Sequence, residues 1–346
     1  MSAWRTAAYR AARPLLFRID PERIHHATLS ALAFLGRNPP GRALCAFASG
    51  ASSVDAARHP FELMGLRFRN RIGVGAGFDK DGMAIRAWAA LGFGFDELGT
   101  VTPRPQAGSP RPRLFRLAAD EALINRMGFN NLGADALADR IRHARPKLPD
   151  GFVIGVNIGR NRDGDDSDFP AAARAVADVA DYLAINVSSP NTPGLRNLQE
   201  PGRLLDLLGA VHAAAPRPPI LVKLSPDLEL AQLDEVLGAL VVSPASGVIL
   251  SNTTLSRDGL RSASRFEPGG VSGRPLRLRT QDRIARTRDL AGDRLTIVAS
   301  GGIGAVGDLN GVIEAGADVF QLWTGLIYAG PGLIGEAIAS GRRVVR

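Results

Sequence analysis

The chain has 346 residues, 45% of them hydrophobic and 22% charged, with 39 glycines, 23 prolines and a single cysteine, Cys45. That length can bury a large core; the apolar share excludes a disordered chain, and the lone cysteine excludes a disulfide framework or a Cys-rich metal site. The net charge of +8 suits nucleic acid, an anionic lipid surface or an anionic ligand, but no run of five basic residues concentrates it, so no nucleic-acid partner is expected.

The first segment carries Arg5, Arg10, Arg13 and Arg18 and no acid, with Trp4, Ala8, Ala11 and Leu15 near helical spacing. Asp20-Pro21-Glu22 then has the form of a helix start: a capping carboxylate, proline at the first helical position and an acid in the first turn. The apolar face that follows is Ile24, Ala27, Ala31, Phe34 and Leu35, and Gly36 with Pro39-Pro40-Gly41 is expected to end it. Two short helices result. Arg18, Asp20 and Glu22 interrupt the apolar run, which argues against a secretory signal. A transit peptide, a hairpin packed on the main body and a helix pair in a membrane interface stay open on composition. No stretch of about 18 apolar residues exists to span a bilayer.

From residue 71 onward, short apolar, β-rich runs recur: 71–77, 95–100, 152–158, 182–188, 220–225, 247–252, 295–301 and 319–325. Helical patterns such as 83–91, 204–215 and 230–240 lie between them. Strands alternating with helices imply a parallel sheet, and eight units over roughly 270 residues predict a closed (β/α)8 TIM barrel, an α/β fold. An open doubly wound sheet is the alternative. In such barrels the reactive groups sit at the C-terminal ends of the strands. Here those ends are Gly77-Phe78-Asp79-Lys80, Gly99-Thr100, Asn157, Asn186 to Ser189, Lys223, Ser251-Asn252-Thr253, Ser300-Gly301-Gly302 and Trp323-Thr324-Gly325. Turn chemistry accounts for the glycines, but not for repeated asparagines and two lysines after apolar runs.

The glycine turns after the seventh and eighth runs suit a phosphate. Gly302-x-Gly304-x-x-Gly307 also matches a dinucleotide fingerprint, but the next strand ends in Trp323-Thr324 without the required acid, so NAD is not expected. Asn125, Asn186, Asn191 and Asn252 offer paired donors and acceptors to a planar ligand such as a pyrimidine. Lys223 closes an apolar strand, where an amine needs an anion nearby; it could hold a reduced cofactor or a carboxylate, or form a Schiff base as in barrel aldolases. No metal is expected: the histidines are scattered, and the acidic 163–168 segment lacks the glycine and glutamate of a calcium loop. No GxSxG elbow occurs.

These residues fall into long ordered stretches: 75–82 (GAGFDKDG), 99–105 (GTVTPRP), 125–133 (NRMGFNNLG), 155–161 (GVNIGRN), 186–194 (NVSSPNTPG), 251–255 (SNTTL), 269–276 (GGVSGRPL) and 300–303 (SGGI). With them the chain closely resembles the dihydroorotate dehydrogenases, flavoenzymes of pyrimidine synthesis, over nearly its whole length. Ser189 stands where the soluble class of that family has a cysteine base, and the N-terminal helix pair is similar to that of the membrane-docked, quinone-dependent class 2. The resemblance implies residues 1–48 as a membrane-associating helical domain with a quinone tunnel and residues 49–346 as an FMN-binding barrel. It implies FMN contacts from Ala76, Gly77, Thr100, Asn157, Asn186, Lys223, Ser251, Gly273, Gly302, Trp323 and Thr324. It implies dihydroorotate or orotate contacts from Lys80, Asn125, Arg126, Met127, Gly128, Phe129, Asn186, Asn191, Asn252 and Thr253, with His25 and Arg116 near the tunnel.

The implied reaction is oxidation of dihydroorotate to orotate. Ser189 takes the C5 proton, hydride leaves C6 for the flavin, Lys223 steadies negative charge, and ubiquinone or menaquinone reoxidises the cofactor. A serine needs a further proton acceptor, and a water or a hydroxyl such as that of Thr192 is expected to serve. The proline-rich 189–201 segment is expected to act as a lid. Trp323 departs from the tyrosine usual in the family. The implied location is peripheral, on the cytoplasmic face of a bacterial inner membrane. A related FMN barrel acting on another pyrimidine, a lyase using Lys223 and a non-catalytic membrane module are the competing readings.

Overall fold

The computed structural model describes residues 3–57 and 60–340. Three helices come first: α1 (Ala3–Leu16), α2 (Pro21–Gly36) and α3 (Pro39–Ser49). The Asp20 carboxylate accepts from the backbone N–H groups of Glu22 and Arg23 at 3.0 and 2.9 Å, so α2 begins where its capping signal stands. The third helix corrects the expectation of two. Asn38 accepts from Gly41 N at 2.8 Å, and Pro39-Pro40 occupy the first helical positions, where a missing N–H costs nothing. The proline pair starts a helix rather than only ending one.

A hairpin, β1 (Phe61–Leu63) and β2 (Leu66–Phe68), leads into the main body. There follow β3 (Ile72–Val74), β4 (Phe95–Val101), β5 (Leu114–Leu117), β6 (Ala122–Asn125), β7 (Val153–Ile158), β8 (Tyr182–Asn186), β9 (Ile220–Leu224), β10 (Ala245–Leu250), β11 (Gly270–Gly273), β12 (Thr296–Ser300) and β13 (Val319–Leu322). The order β10-β12-β13-β3-β4-β7-β8-β9 closes into a barrel with parallel neighbours. Each of the eight apolar runs supplies one of these strands; all but the first residues of β10 are buried throughout, as continuous apolar runs require. The open doubly wound alternative is excluded by closure.

The helices α4 (Ile85–Ala90), α5 (Ala134–Ala144), α6 (Asp168–Val176), α7 (Pro201–Ala214), α8 (Leu230–Val241), α9 (Arg277–Ala291), α10 (Val306–Glu314), α11 (Thr324–Ala329) and α12 (Gly332–Ser340) cover the outside. Inside the barrel, Phe68, Phe95, Tyr182, Leu221, Ile249 and Val298 form a buried cluster, and Phe61, Leu63, Met64 and Leu66 of the hairpin pack on it. The hairpin thereby plugs the N-terminal mouth. Strands β11-β6-β5 form a separate antiparallel sheet beside the other end. On that flank α1 runs against α11, with the Tyr9 hydroxyl donating to Ile327 O at 2.7 Å, and α2 packs on α4. The expected domain bounds reach residues 1–2, 58–59 and 341–346, which lie outside the described residues.

Candidate active site

The C-terminal strand ends surround one cavity. Ala76, Gly77, Lys80, Thr100, Asn125, Met127, Gly128, Phe129, Asn186, Ser189, Asn191, Lys223, Ser251, Asn252, Thr253, Gly273, Gly302, Trp323 and Thr324 all line it. Of the residues singled out for cofactor or substrate, two do not. Asn157 is fully buried beneath the lining, where its amide braces Thr100 and Asn186. Arg126 turns away: its guanidinium pairs with Glu267 at 2.9 Å and lies over the Phe115 ring. The reason is local, since an arginine beside an acid and an aromatic face finds both partners without entering the cavity.

The floor is a hydrogen-bonded rack. Thr100 Oγ1 donates to Asn157 Oδ1 at 2.6 Å, and Asn186 Nδ2 donates to Thr100 Oγ1 at 2.9 Å. Below them Glu97, fully buried, accepts from Asn157 Nδ2 at 2.9 Å, Tyr182 Oη at 3.1 Å and Gln321 Nε2 at 2.5 Å. The same carboxylate stands 3.9 Å from Lys223 Nζ. Burial lowers the lysine's affinity for its proton, and Glu97 opposes that loss. Sequence reading took 95–100 as an apolar run and passed over Glu97. A charged residue inside such a run was the available signal.

The upper wall is built for a ligand with both planar and anionic parts. Gly301 and Gly302 adopt left-handed φ of 114° and 76°, which leaves their backbone close to the cavity after β12. Ser272 and Thr324 face each other at 2.8 Å between hydroxyl oxygens. The buried Oε1 of Gln321 has no hydrogen-bond partner among the described residues, although the residue lines the cavity. An unmet buried acceptor beside a fixed cation, amides and glycine turns fits a ring with donor N–H groups and a phosphate tail.

The opposite wall carries the other polar groups. Asn252 Nδ2 donates to Ser188 Oγ at 2.9 Å, and Asn191 Nδ2 reaches Asn125 O at 3.3 Å. Ser189 is buried, and its Oγ accepts from Asn191 N at 3.3 Å. Thr192 is buried nearby, with no hydrogen bond to Ser189 among the described residues. Lys80 Nζ donates to Gly77 O at 3.2 Å; burial pulls its pKa down to about 8, against the pull of Asp81. Two residues that the sequence reading missed fasten the 189–199 segment. Arg196 donates to Ser188 O, Thr253 O and Asp227 Oδ2 at 3.0–3.2 Å. Burial pushes the Asp227 carboxyl up, but hydrogen bonds from Thr254, Leu255 and Arg196 outweigh it and hold the group below its ordinary value.

A second cavity, of ≈ 500 Å3, opens between the N-terminal helices and the barrel. Tyr9, Phe17, Ile24, Leu32, Leu44, Trp88 and Ile334 are among its mostly apolar walls. Arg116 lines it, donating to Ile19 O at 2.7 Å and to Phe17 O at 3.1 Å. His25 and Trp323 line both cavities, their rings stacked with centroids 6.4 Å apart. Burial, helped by Lys80, lowers the His25 pKa to about 3, so the ring is neutral.

A closed parallel barrel with this rack, lysine and glycine cradle defines a class of barrels suited to a planar, phosphate-bearing cofactor. The comparisons with known proteins narrow the class. A family model described as dihydroorotate dehydrogenase matches residues 60–340. The chain is 46% identical over 328 residues to the dihydroorotate dehydrogenase (quinone) of Mycobacterium tuberculosis strain H37Rv, covering 93% of this chain and 90% of that one. It is 46% identical over 337 residues to the protein of the same name from Rhodospirillum rubrum, covering 95% and 88%. Its fold is similar to the crystal structure of the Eimeria tenella enzyme in complex with ferulenol, at a TM-score of 0.83 and 33% identity, covering 93% and 90%. The chain belongs to the dihydroorotate dehydrogenase family.

Proposed function

We propose that this chain oxidises dihydroorotate to orotate for pyrimidine synthesis, with FMN as cofactor and a quinone as final electron acceptor. The observation that carries the reading is the junction of two cavities at His25 and Trp323, one polar and one apolar. Water-soluble and lipid-soluble partners thus reach one place from opposite sides.

The group's own part is brief: bound FMN accepts a hydride and later yields its electrons. Lys223, the Thr100–Asn157–Asn186 rack, Ser251 and Trp323 would hold its ring system, and Gly273, Gly302 and Thr324 its phosphate side, with Ala76 and Gly77 along the edge. Lys223, fixed by Glu97, supplies preorganised positive charge. Lys80 pairs with the substrate carboxylate, and Asn125, Asn191, Asn252 and Thr253 meet the ring amides. Met127, Gly128 and Phe129 close that side. Ser189 takes the proton from C5 as the C5–C6 bond becomes double. Its proton then passes to solvent through a water, since no side-chain acceptor stands within hydrogen-bond reach among the described residues. Ser188 O, bonded to Arg196, keeps the serine segment seated.

Quinone enters through the apolar cavity past Arg116. Residues 1–48 form the membrane-docking unit and 49–346 the catalytic barrel. Docking is supported by exposed apolar side chains of the N-terminal helices, Trp4, Leu15, Phe34, Leu44 and Phe47, each more than half exposed, with Arg10 and Arg18 nearby in sequence. No described helix is long and apolar enough to cross a membrane, which suits peripheral attachment, on the cytoplasmic face of a bacterial inner membrane.

The test is a visible spectrum of the purified protein without oxygen. Dihydroorotate should bleach the flavin band, and a soluble quinone should restore it. A band that stays oxidised on dihydroorotate overturns the substrate; a folded protein without a flavin band overturns the cofactor.

A further inference from the structure

A third cavity, of ≈ 620 Å3, lies apart from the two already described. On its wall Arg69 leads into β3, Gly92 into β4 and Lys147 to Pro149 into β7. It therefore sits toward the N-terminal ends of strands whose opposite ends carry the active site. Helix α3 divides it from the apolar cavity: Arg42, Ala43 and Ala46 line this one, and Leu44, Cys45 and Ala48 line the other. Four cations stand around it, Arg42, Arg69, Arg86 and Lys147, against one acid, Asp55. The three arginines are half-buried and the lysine is exposed.

These cations lack anions. Arg42 Nη1 donates to Gly36 O at 3.2 Å and Arg86 Nη2 to His143 O at 2.5 Å, both neutral carbonyls. Asp55 turns its carboxylate to Ala57 N at 2.9 Å, and none of the four cations forms an ion pair among the described residues. The Arg69 side chain makes no hydrogen bond among them, although its Nε is buried. A buried N–H on a cation is costly without an acceptor, and the planar guanidinium fork matches the oxygens of a phosphate. Val54, Leu148 and Pro149 with several alanines complete the wall, so the anion that fits it carries a non-polar part. We propose that this cavity is a second phosphate site, remote from the catalytic one, for a phosphate ester with a partly apolar body. Two sources share that chemistry. One is a soluble ester. The other is an anionic lipid headgroup, for which Leu44 and Phe47 of the same helix, each more than half exposed, would enter the bilayer. The site would serve whatever the catalytic cavity oxidises.

The test is calorimetric titration of the FMN-loaded protein, whose glycine turns are then occupied, with inorganic phosphate and with a nucleoside monophosphate. One phosphate per chain should bind saturably, more weakly as salt is raised, and the nucleotide should bind more tightly because it also meets the apolar wall. Arg69→Gln should weaken both at least about tenfold, the loss of one charge-assisted bond, and Arg69→Lys should recover part of it. Lys147→Gln, at the exposed rim, should cost about threefold. Arg217→Gln removes an equal charge from an exposed position outside the cavity and should change neither affinity. Flavin content should stay parental in all four. Sedimentation with phosphatidylglycerol vesicles reads the source. For a headgroup, Arg69→Gln and Lys147→Gln sediment less and inorganic phosphate competes with the vesicles; for a soluble ester, sedimentation stays parental while the calorimetric losses remain. Phosphate and vesicle binding that are both unmoved by Arg69→Gln and Lys147→Gln, or an equal loss in Arg217→Gln, overturn the inference. If Arg69→Gln does not fold, Arg42→Gln and Lys147→Gln replace it, and unchanged binding in both overturns the inference.

Discussion

Replacing Ser189 by alanine separates chemistry from folding. The side chain is buried, and its Oγ makes a single protein contact, an acceptor bond from Asn191 N at 3.3 Å. Losing one long hydrogen bond costs at most about 1 kcal/mol of stability. Losing a general base costs about 10²- to 10⁴-fold in rate, or about 3–5 kcal/mol of barrier. The second effect exceeds the first severalfold, so the variant should fold, carry flavin and bind orotate with nearly parental Kd. Anaerobic stopped-flow mixing with dihydroorotate reads the bleaching rate directly, free of the quinone step. Bleaching within about threefold of the parent rate would show that Ser189 is not the base, because that change is under 1 kcal/mol. Loss of orotate binding in parallel with rate would instead make it a binding residue. Ser189→Cys, which restores a proton acceptor, should recover part of the rate at alkaline pH, where the thiolate forms.

Other expectations follow from the packing. Glu97→Leu leaves three buried donors without an acceptor and strands Lys223, so unfolding in urea should show a loss of about 3–5 kcal/mol; under about 1 kcal/mol would deny the carboxylate its central place. Gly302→Ala puts a Cβ 2.3 Å from Arg277 Cα at a φ of 76°, so FMN per purified chain should fall, while Gly307→Ala, with open space around it, should keep full occupancy. Equal flavin content in the two would refute the phosphate-side assignment. Leu15→Ser with Phe34→Ser removes two side chains that are each 63% exposed, so sedimentation with anionic vesicles should drop while turnover with a soluble quinone is kept. Unchanged sedimentation would place membrane contact elsewhere.

The barrel was legible because its strands are buried on both faces. Runs such as Ile220–Leu224 leave no period to misread, and eight of them leave few architectures. The hairpin at Phe61–Phe68 was not legible, since its strands are three residues long and half-buried. The third helix was missed because proline pairs stop and start helices alike, and the deciding bond comes from Asn38. Most cavity residues were legible as polar groups after apolar runs, and their roles came from resemblance. The arrangement that supports them was not. Glu97 and Gln321 are 224 residues apart, and neither segment hints at the other. Arg126 shows the converse: it lies inside a matching motif, yet Glu267, 141 residues on, takes its side chain.

The contact between α1 and α11 has a consequence for how the protein is made. Tyr9 bonds to Ile327 and Arg13 to Tyr328, spans of 318 and 315 residues. A ribosome adding roughly 5–20 residues per second needs on the order of 15–60 s between the first partner and the last. Throughout that interval the apolar face of α1 has no barrel to rest on. A segment made well before the barrel is thus among the latest to find its place. A nascent chain in that condition has two outlets, a holding chaperone or a nearby bilayer, and an early lodging in lipid would shield Tyr9 and Phe17 until Ile327 and Tyr328 arrive.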